Sequence, residues 1–210
     1  SNLEKLAKKF NLVIIEDATE ALGSFKNHRH AGTFGRCGCL SFNGNKIITT
    51  GGGGALITND LKLANDARHL STTAKLQHKY EYNHDEIGYN YRMPNINAAL
   101  ACAQLESLDD YLKNKRELAN AYAEFFELQG IKFRKETPNT KANYWLMCIE
   151  LENKKDRDLF LKETNDNSVM TRPIWQLIFK SSLYADFQKD DQKNALFLEQ
   201  RIVNIPSSAR

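Results

Sequence analysis

Between Pro94 and Gly130 neither glycine nor proline interrupts the chain. Ile96, Ala99, Leu100, Ala103, Leu108, Leu112, Leu118, Ala121, Tyr122 and Phe125 recur there at helical spacing. At about 1.5 Å per residue this stretch spans roughly 50 Å, longer than one small domain needs. It predicts a long helix that links two lobes. The boundary is expected at residues 95/96, with one lobe over 1–95 and the linking helix and second lobe over 96–210.

The flanking patterns differ. Ser1 and Glu4 have capping-box spacing, and Leu3, Leu6, Ala7 and Phe10 follow a helical period. Leu12 to Ile15 is a short, continuously apolar run, as in a buried parallel strand. Cys39 to Phe42 and Ala55 to Thr58 read as two further strands, and Leu63, Ala67 and Leu70 mark a helix. Residues 72–93 have no period and are rich in Tyr, His and Asn, which predicts a long loop of the kind that often carries function. After Gly130, strands are expected at 131–133, 144–151, 169–172 and 202–205, and helices at about 155–165 and 190–201. The fold class is therefore α/β, followed by a smaller α+β unit. Three strands are few for a doubly wound sheet, so the chain is expected to be part of a larger fold.

Composition excludes several classes. The 210 residues carry a net charge of +3 with 26 % charged residues, and the basic pairs Lys8–Lys9, Lys113–Arg116 and Lys154–Lys155 are short and interleaved. No nucleic-acid surface is expected from that. No apolar run approaches a membrane span, and four cysteines are ordinary usage for reduced thiols, so the expectation is a cytoplasmic protein.

The chemistry concentrates at strand ends. Lys46 lies between a short strand and the glycines 51–54. Asp17 follows Leu12-Val13-Ile14-Ile15-Glu16, at the end of a strand, where α/β sheets place ligand contacts. A fixed lysine can bond the aldehyde of pyridoxal phosphate, and a carboxylate can hold the ring nitrogen protonated. Ser41 offers a hydroxyl for the phosphate. Each residue has a plainer reading as well: a surface lysine, a helix N-cap aspartate and a strand-end serine. The glycines match no phosphate-loop pattern and precede a strand, so they are expected to permit a bend. His28, His30, Cys37 and Cys39 form an H-x-H…C-x-C set that admits a zinc module, although the spacing matches no usual zinc pattern.

Glu16–Ala21, Ser41–Lys46 and Gly88–Asn95 occur in that order, and together they resemble the DegT–DnrJ–StrS family of sugar-nucleotide aminotransferases. Ser41 to Gly54, Thr72–Lys75 and His84–Ile87 are most similar to the branch that makes 4-amino sugars for bacillosamine or legionaminic acid. The resemblance implies the aspartate aminotransferase fold and pyridoxal 5'-phosphate as cofactor. It makes Lys46 the catalytic lysine and places Asp17 at the ring nitrogen, Glu20 near the ring hydroxyl and Ser41 at the phosphate. Asn90 would reach the phosphate of a neighbouring subunit, since the family shares its sites across a homodimer. Arg92, Arg172 and Trp175 would approach the sugar nucleotide. A dehydratase branch has histidine at the position of Lys46, so lysine favours transamination. The implied reaction moves an amino group, from glutamate, onto the 4-keto carbon of a nucleotide-linked 6-deoxy sugar. Members are about twice as long, and the rest of the large-domain sheet belongs to their N-terminal half. The rival readings are an incompetent fragment that only dimerises, and the zinc module.

Overall fold

The computed structural model describes residues 2–209. Its elements run α1 (Asn2–Lys9), β1 (Ile15–Asp17), β2 (Phe25–Lys26), β3 (Arg29–His30), β4 (Cys37–Ser41), β5 (Gly54–Ile57), α2 (Leu61–Ser71), α3 (Asn95–Glu106) and α4 (Leu108–Leu128). There follow β6 (Lys132–Phe133), β7 (Thr140–Lys141), β8 (Met147–Glu150), α5 (Lys154–Asp166), β9 (Arg172–Pro173), α6 (Lys193–Glu199) and β10 (Ile202–Ile205). Two compact units divide the chain: Ser1–Leu112 with Pro138–Asn143, and Lys113–Thr137 with Tyr144–Arg210. This division falls within α4, whereas the sequence places a boundary at 95/96.

In the first unit β1 pairs in parallel with β4, and β4 pairs antiparallel with β5. Asp17 lies opposite Cys39, so the C-terminal ends of β1 and β4 open on the same side of the sheet. The apolar run before Asp17 departs from expectation. The ladder begins only at Ile15, and Leu12 and Ile15 are 64 % and 67 % exposed. A strand is buried only if both its faces are covered, and the exposed Leu12, Val13 and Ile15 show that those of β1 are not; it is also an edge strand among the described residues, paired with β4. In α1, Glu4 in the first turn and Lys8 and Lys9 in the last complement the helix dipole. Ser1, the expected cap, lies outside the described residues. Asp60 caps α2 by accepting from the Leu63 amide at 3.0 Å, and its other oxygen accepts from Arg36 Nε at 3.0 Å.

A second sheet in this unit was not foreseen. It has the order β3-β2-β7 and joins Phe25 to both His30 and Lys141. The long helix was foreseen as one piece and is two. Ser107, at φ −96° and ψ 0°, ends α3, and its amide turns back to the Leu105 carbonyl. A serine offers the backbone local alternatives to the helical ladder, and serine is among the residues at which helices kink.

The second unit packs α4 and α5 against the antiparallel sheet β6-β8-β10-β9. Met147 and Ile149 of β8 alternate inward, and meet Ala119, Ala123 and Phe126 of α4 and Val203 and Ile205 of β10. Lys115, also on α4, is buried at 5 % exposure. Its ammonium donates to the carbonyls of Trp145, at 3.3 Å, and Ser207.

Candidate active site

The turn that carries Lys46 is fastened at its base. Ile48, at 1 % exposure, and buried Phe42 and Thr50 root it in the first unit. The Phe42 amide donates to the Gly53 carbonyl and the Thr50 amide to the Phe42 carbonyl, both at 3.0 Å. From α3, Asn97 Nδ2 donates to the Thr50 carbonyl at 2.6 Å, while Gln104 Oε1 accepts from the Thr49 amide at 3.3 Å. Gly53 takes φ +100°, a conformation L residues rarely adopt, so the expected bend is present.

Lys46 therefore projects from a fixed turn, and its side chain is only 12 % exposed. Its Nζ donates to Glu20 Oε1 at 2.5 Å. The plainer reading of a solvated surface lysine does not describe it. Asp17 Oδ1 accepts from the Thr19 hydroxyl at 2.7 Å and the Thr19 amide at 3.2 Å. This closes a turn of the chain, and no helix begins there, so the N-cap reading fails. The Thr19 hydroxyl, then its amide, hold the Asp17 carboxyl below its ordinary pKa, and the charge of Lys46 adds to this. The same hydroxyl lies 3.2 Å from Glu20 Oε2. With one proton to give, it serves Asp17 at the shorter distance. Asp17, Thr19, Glu20 and Lys46 are thus one connected set at the C-terminal end of β1. Ser41, two positions beyond the partner of Asp17, ends β4 beside them, and its Oγ accepts from the Asn43 amide at 3.3 Å.

The other expected residues have neighbours outside this set. Asn90 is exposed, opposite Thr72 in an antiparallel bridge. Arg92 lines an open cleft of about 450 Å³ with Arg68, Ser71 and Tyr91. Arg172 and Trp175 belong to the second unit. There Arg172 Nη1 donates to Asn165 Oδ1 at 3.1 Å, and Trp175 stacks on Trp145 with centroids 6.2 Å apart. The proposed zinc quartet is not assembled. His30 Nε2 accepts from the Gly23 amide at 2.8 Å, and Cys37 is buried in β4. Among the described residues, the potential ligand group with its atoms drawn close is instead His69, Asp85 and Glu86.

Three supporting residues escaped the sequence. Glu16 accepts from the Gly32 and Gly35 amides at 2.9 and 2.6 Å and so fixes the chain beside Asp17. Buried Asn143 donates to the carbonyls of Glu20 and Leu22 at 2.8 and 2.9 Å. Thr19 was the readable one, since a hydroxyl residue two places after Asp is a turn signature. No local signal marks Asn143.

An amine on a fixed turn, a carboxylate kept ionised at the end of a parallel strand and a strand-end hydroxyl form a donor set that fits pyridoxal phosphate. With the α/β sheet that presents them, they define an aminotransferase-type unit. The chain belongs to the DegT/DnrJ/EryC1/StrS aminotransferase family, whose model matches residues 1–210. It is 38 % identical over 204 residues to GDP-perosamine synthase of Escherichia coli O157:H7, covering 97 % of this chain and 55 % of that protein. It is 37 % identical over 180 residues to the putative pyridoxal phosphate-dependent aminotransferase EpsN of Bacillus subtilis (strain 168), covering 85 % of this chain and 46 % of that one. Its fold matches Helicobacter pylori PseC, an aminotransferase involved in the biosynthesis of pseudoaminic acid. The TM-score is 0.87 at 25 % identity, over 98 % of this chain and 57 % of PseC. The chain spans about half the length of the curated relatives it matches.

Proposed function

We propose that the full-length protein carrying this chain transfers an amino group from glutamate to the 4-keto carbon of a nucleotide-linked 6-deoxy sugar, with pyridoxal phosphate as cofactor. The observation that carries this is the tethered, largely enclosed Lys46 beside a carboxylate held ionised. Family membership and the names of the relatives support it. When bound, the cofactor supplies an electron sink for the bond broken at the amino donor.

The chain's own residues supply the rest. Lys46 Nζ is the covalent tether and, once released, accepts the proton lost from the donor's Cα. It later delivers a proton to the sugar carbon that becomes the amine. Asp17, ionised at neutral pH, keeps the ring nitrogen protonated. Ser41 binds the phosphate, and Glu20 orients Lys46 and approaches the ring hydroxyl. Asn90 serves the phosphate of a second copy in a homodimer, and Arg92, Arg172 and Trp175 contact the sugar nucleotide.

The test is borohydride reduction of the purified full-length protein with pyridoxal phosphate, followed by peptide mass spectrometry. The label is expected on Lys46 and absent from a folded Lys46→Ala variant. A label on another lysine would overturn the assignment. Incubation with glutamate and a 4-keto or a 3-keto nucleotide sugar then separates the two amination positions, and amination of only the 3-keto substrate would refute the 4-keto reading.

A further inference from the structure

The segment between α2 and α3 carries Asn90, and one residue at the end of α2 holds both limbs of it. The carbonyl of His69 accepts from the amides of Thr72 and Ala74, at 3.1 and 2.9 Å, which fixes the outgoing limb. Its imidazole Nε2 meets Asp85 Oδ1 at 2.6 Å and lies 3.8 Å from Glu86 Oε1, on the returning limb. The returning limb then docks on the end of the helix. The Tyr89 amide donates to the Leu70 carbonyl at 2.7 Å, and the Thr73 amide to the Tyr89 carbonyl at 3.0 Å. The Tyr91 amide donates to the Ser71 carbonyl at 3.0 Å, which leaves Asn90 opposite Thr72. The fit is close, since a Cβ on Gly88 would lie 2.3 Å from the Ala74 nitrogen.

The turn also works against its own backbone. Thr73 and Ala74 both take positive φ, at 66° and 51°, which is unfavourable for residues that bear a Cβ. Such a turn persists only where its surroundings hold it. His69 Nε2–H to Asp85 is a side-chain bond that spans the two limbs. It holds the Asp85 carboxyl below its ordinary pKa, with the charges of His69 and His84 adding to this.

We propose that His69, through Asp85, is a positioning residue that sets Asn90 for its task. This rests on the reading above that Asn90 binds a cofactor phosphate. Glu86 and His84 are the other titratable groups that face the pair.

Hydrogen–deuterium exchange on the full-length protein without cofactor reads the latch directly, and pyridoxal phosphate titration reads Asn90. In His69→Leu and Asp85→Asn, exchange at the Thr73, Tyr89 and Tyr91 amides is expected to rise about tenfold at neutral pH, and cofactor affinity to fall by a similar factor. His69→Gln, which keeps an N–H donor, is expected to recover part of both. Asn90→Ala is expected to weaken the cofactor with exchange unchanged. Unchanged exchange in His69→Leu would overturn the latch. Faster exchange with unaltered affinity, while Asn90→Ala weakens binding, would overturn positioning. If Asn90→Ala leaves affinity intact, it is the Asn90 reading that fails.

Discussion

Asn143 shows how far a site's support can lie from its chemistry. It stands well over a hundred residues along the chain from Glu20, yet its amide donates to the Glu20 and Leu22 carbonyls and shapes the segment behind Asp17. Asn143→Ala removes the donor both carbonyls share and is expected to cost about 1–3 kcal/mol, measured by denaturant unfolding. Lys115 makes a prediction of opposite character. Burial lowers its pKa from the usual 10.5 to about 8, while the unfolded chain keeps the ordinary value. Between those two values the unfolded state binds more protons, so stability contributed by this residue rises as pH increases through the window. Melting temperature should therefore climb more between pH 8 and 10.5 in the wild type than in Lys115→Met, and equal slopes would refute the account.

The Lys46 turn belongs to the scale of elements, because its rigidity comes from Ile48 and from α3 rather than from the lysine. Ile48→Ala should destabilise the first unit by about 2–5 kcal/mol. It should also slow borohydride labelling of Lys46 relative to labelling of free amines, although Ile48 touches no reacting atom in the proposed scheme. Strand ends were legible in the sequence for a simple reason. Ile14-Ile15-Glu16-Asp17 switches from apolar to polar where β1 stops, and Leu40-Ser41 does so at the end of β4, although apolar Phe42 follows. The β2–β7 pairing was not legible, since strands of two residues carry no period and their partners are distant in sequence. The break at Ser107 was hidden because the apolar spacing continues across it. The connected set of Asp17, Glu20 and Lys46 could be named from the motifs. The hydrogen bonds that join it depend on Thr19, whose turn chemistry passed unread.

At the scale of the whole chain, both units leave large apolar side chains exposed. The second has a continuous core from α4 to β10. The first leaves Leu12, Val13 and Ile15 open, and Leu3 and Leu6 of α1 and Phe10 just after it are exposed as well. The free edge of β1 adds a row of backbone donors and acceptors to that apolar surface, a combination that recruits other chains. Sedimentation velocity on the isolated 210-residue chain should show concentration-dependent self-association, reduced by Ile15→Lys. A monodisperse monomer at every concentration would refute this. The consequence reaches into protein quality control: produced by itself, this polypeptide offers chaperones and proteases the kind of sticky border they patrol, so its lifetime in a cell should depend on how soon something shields β1.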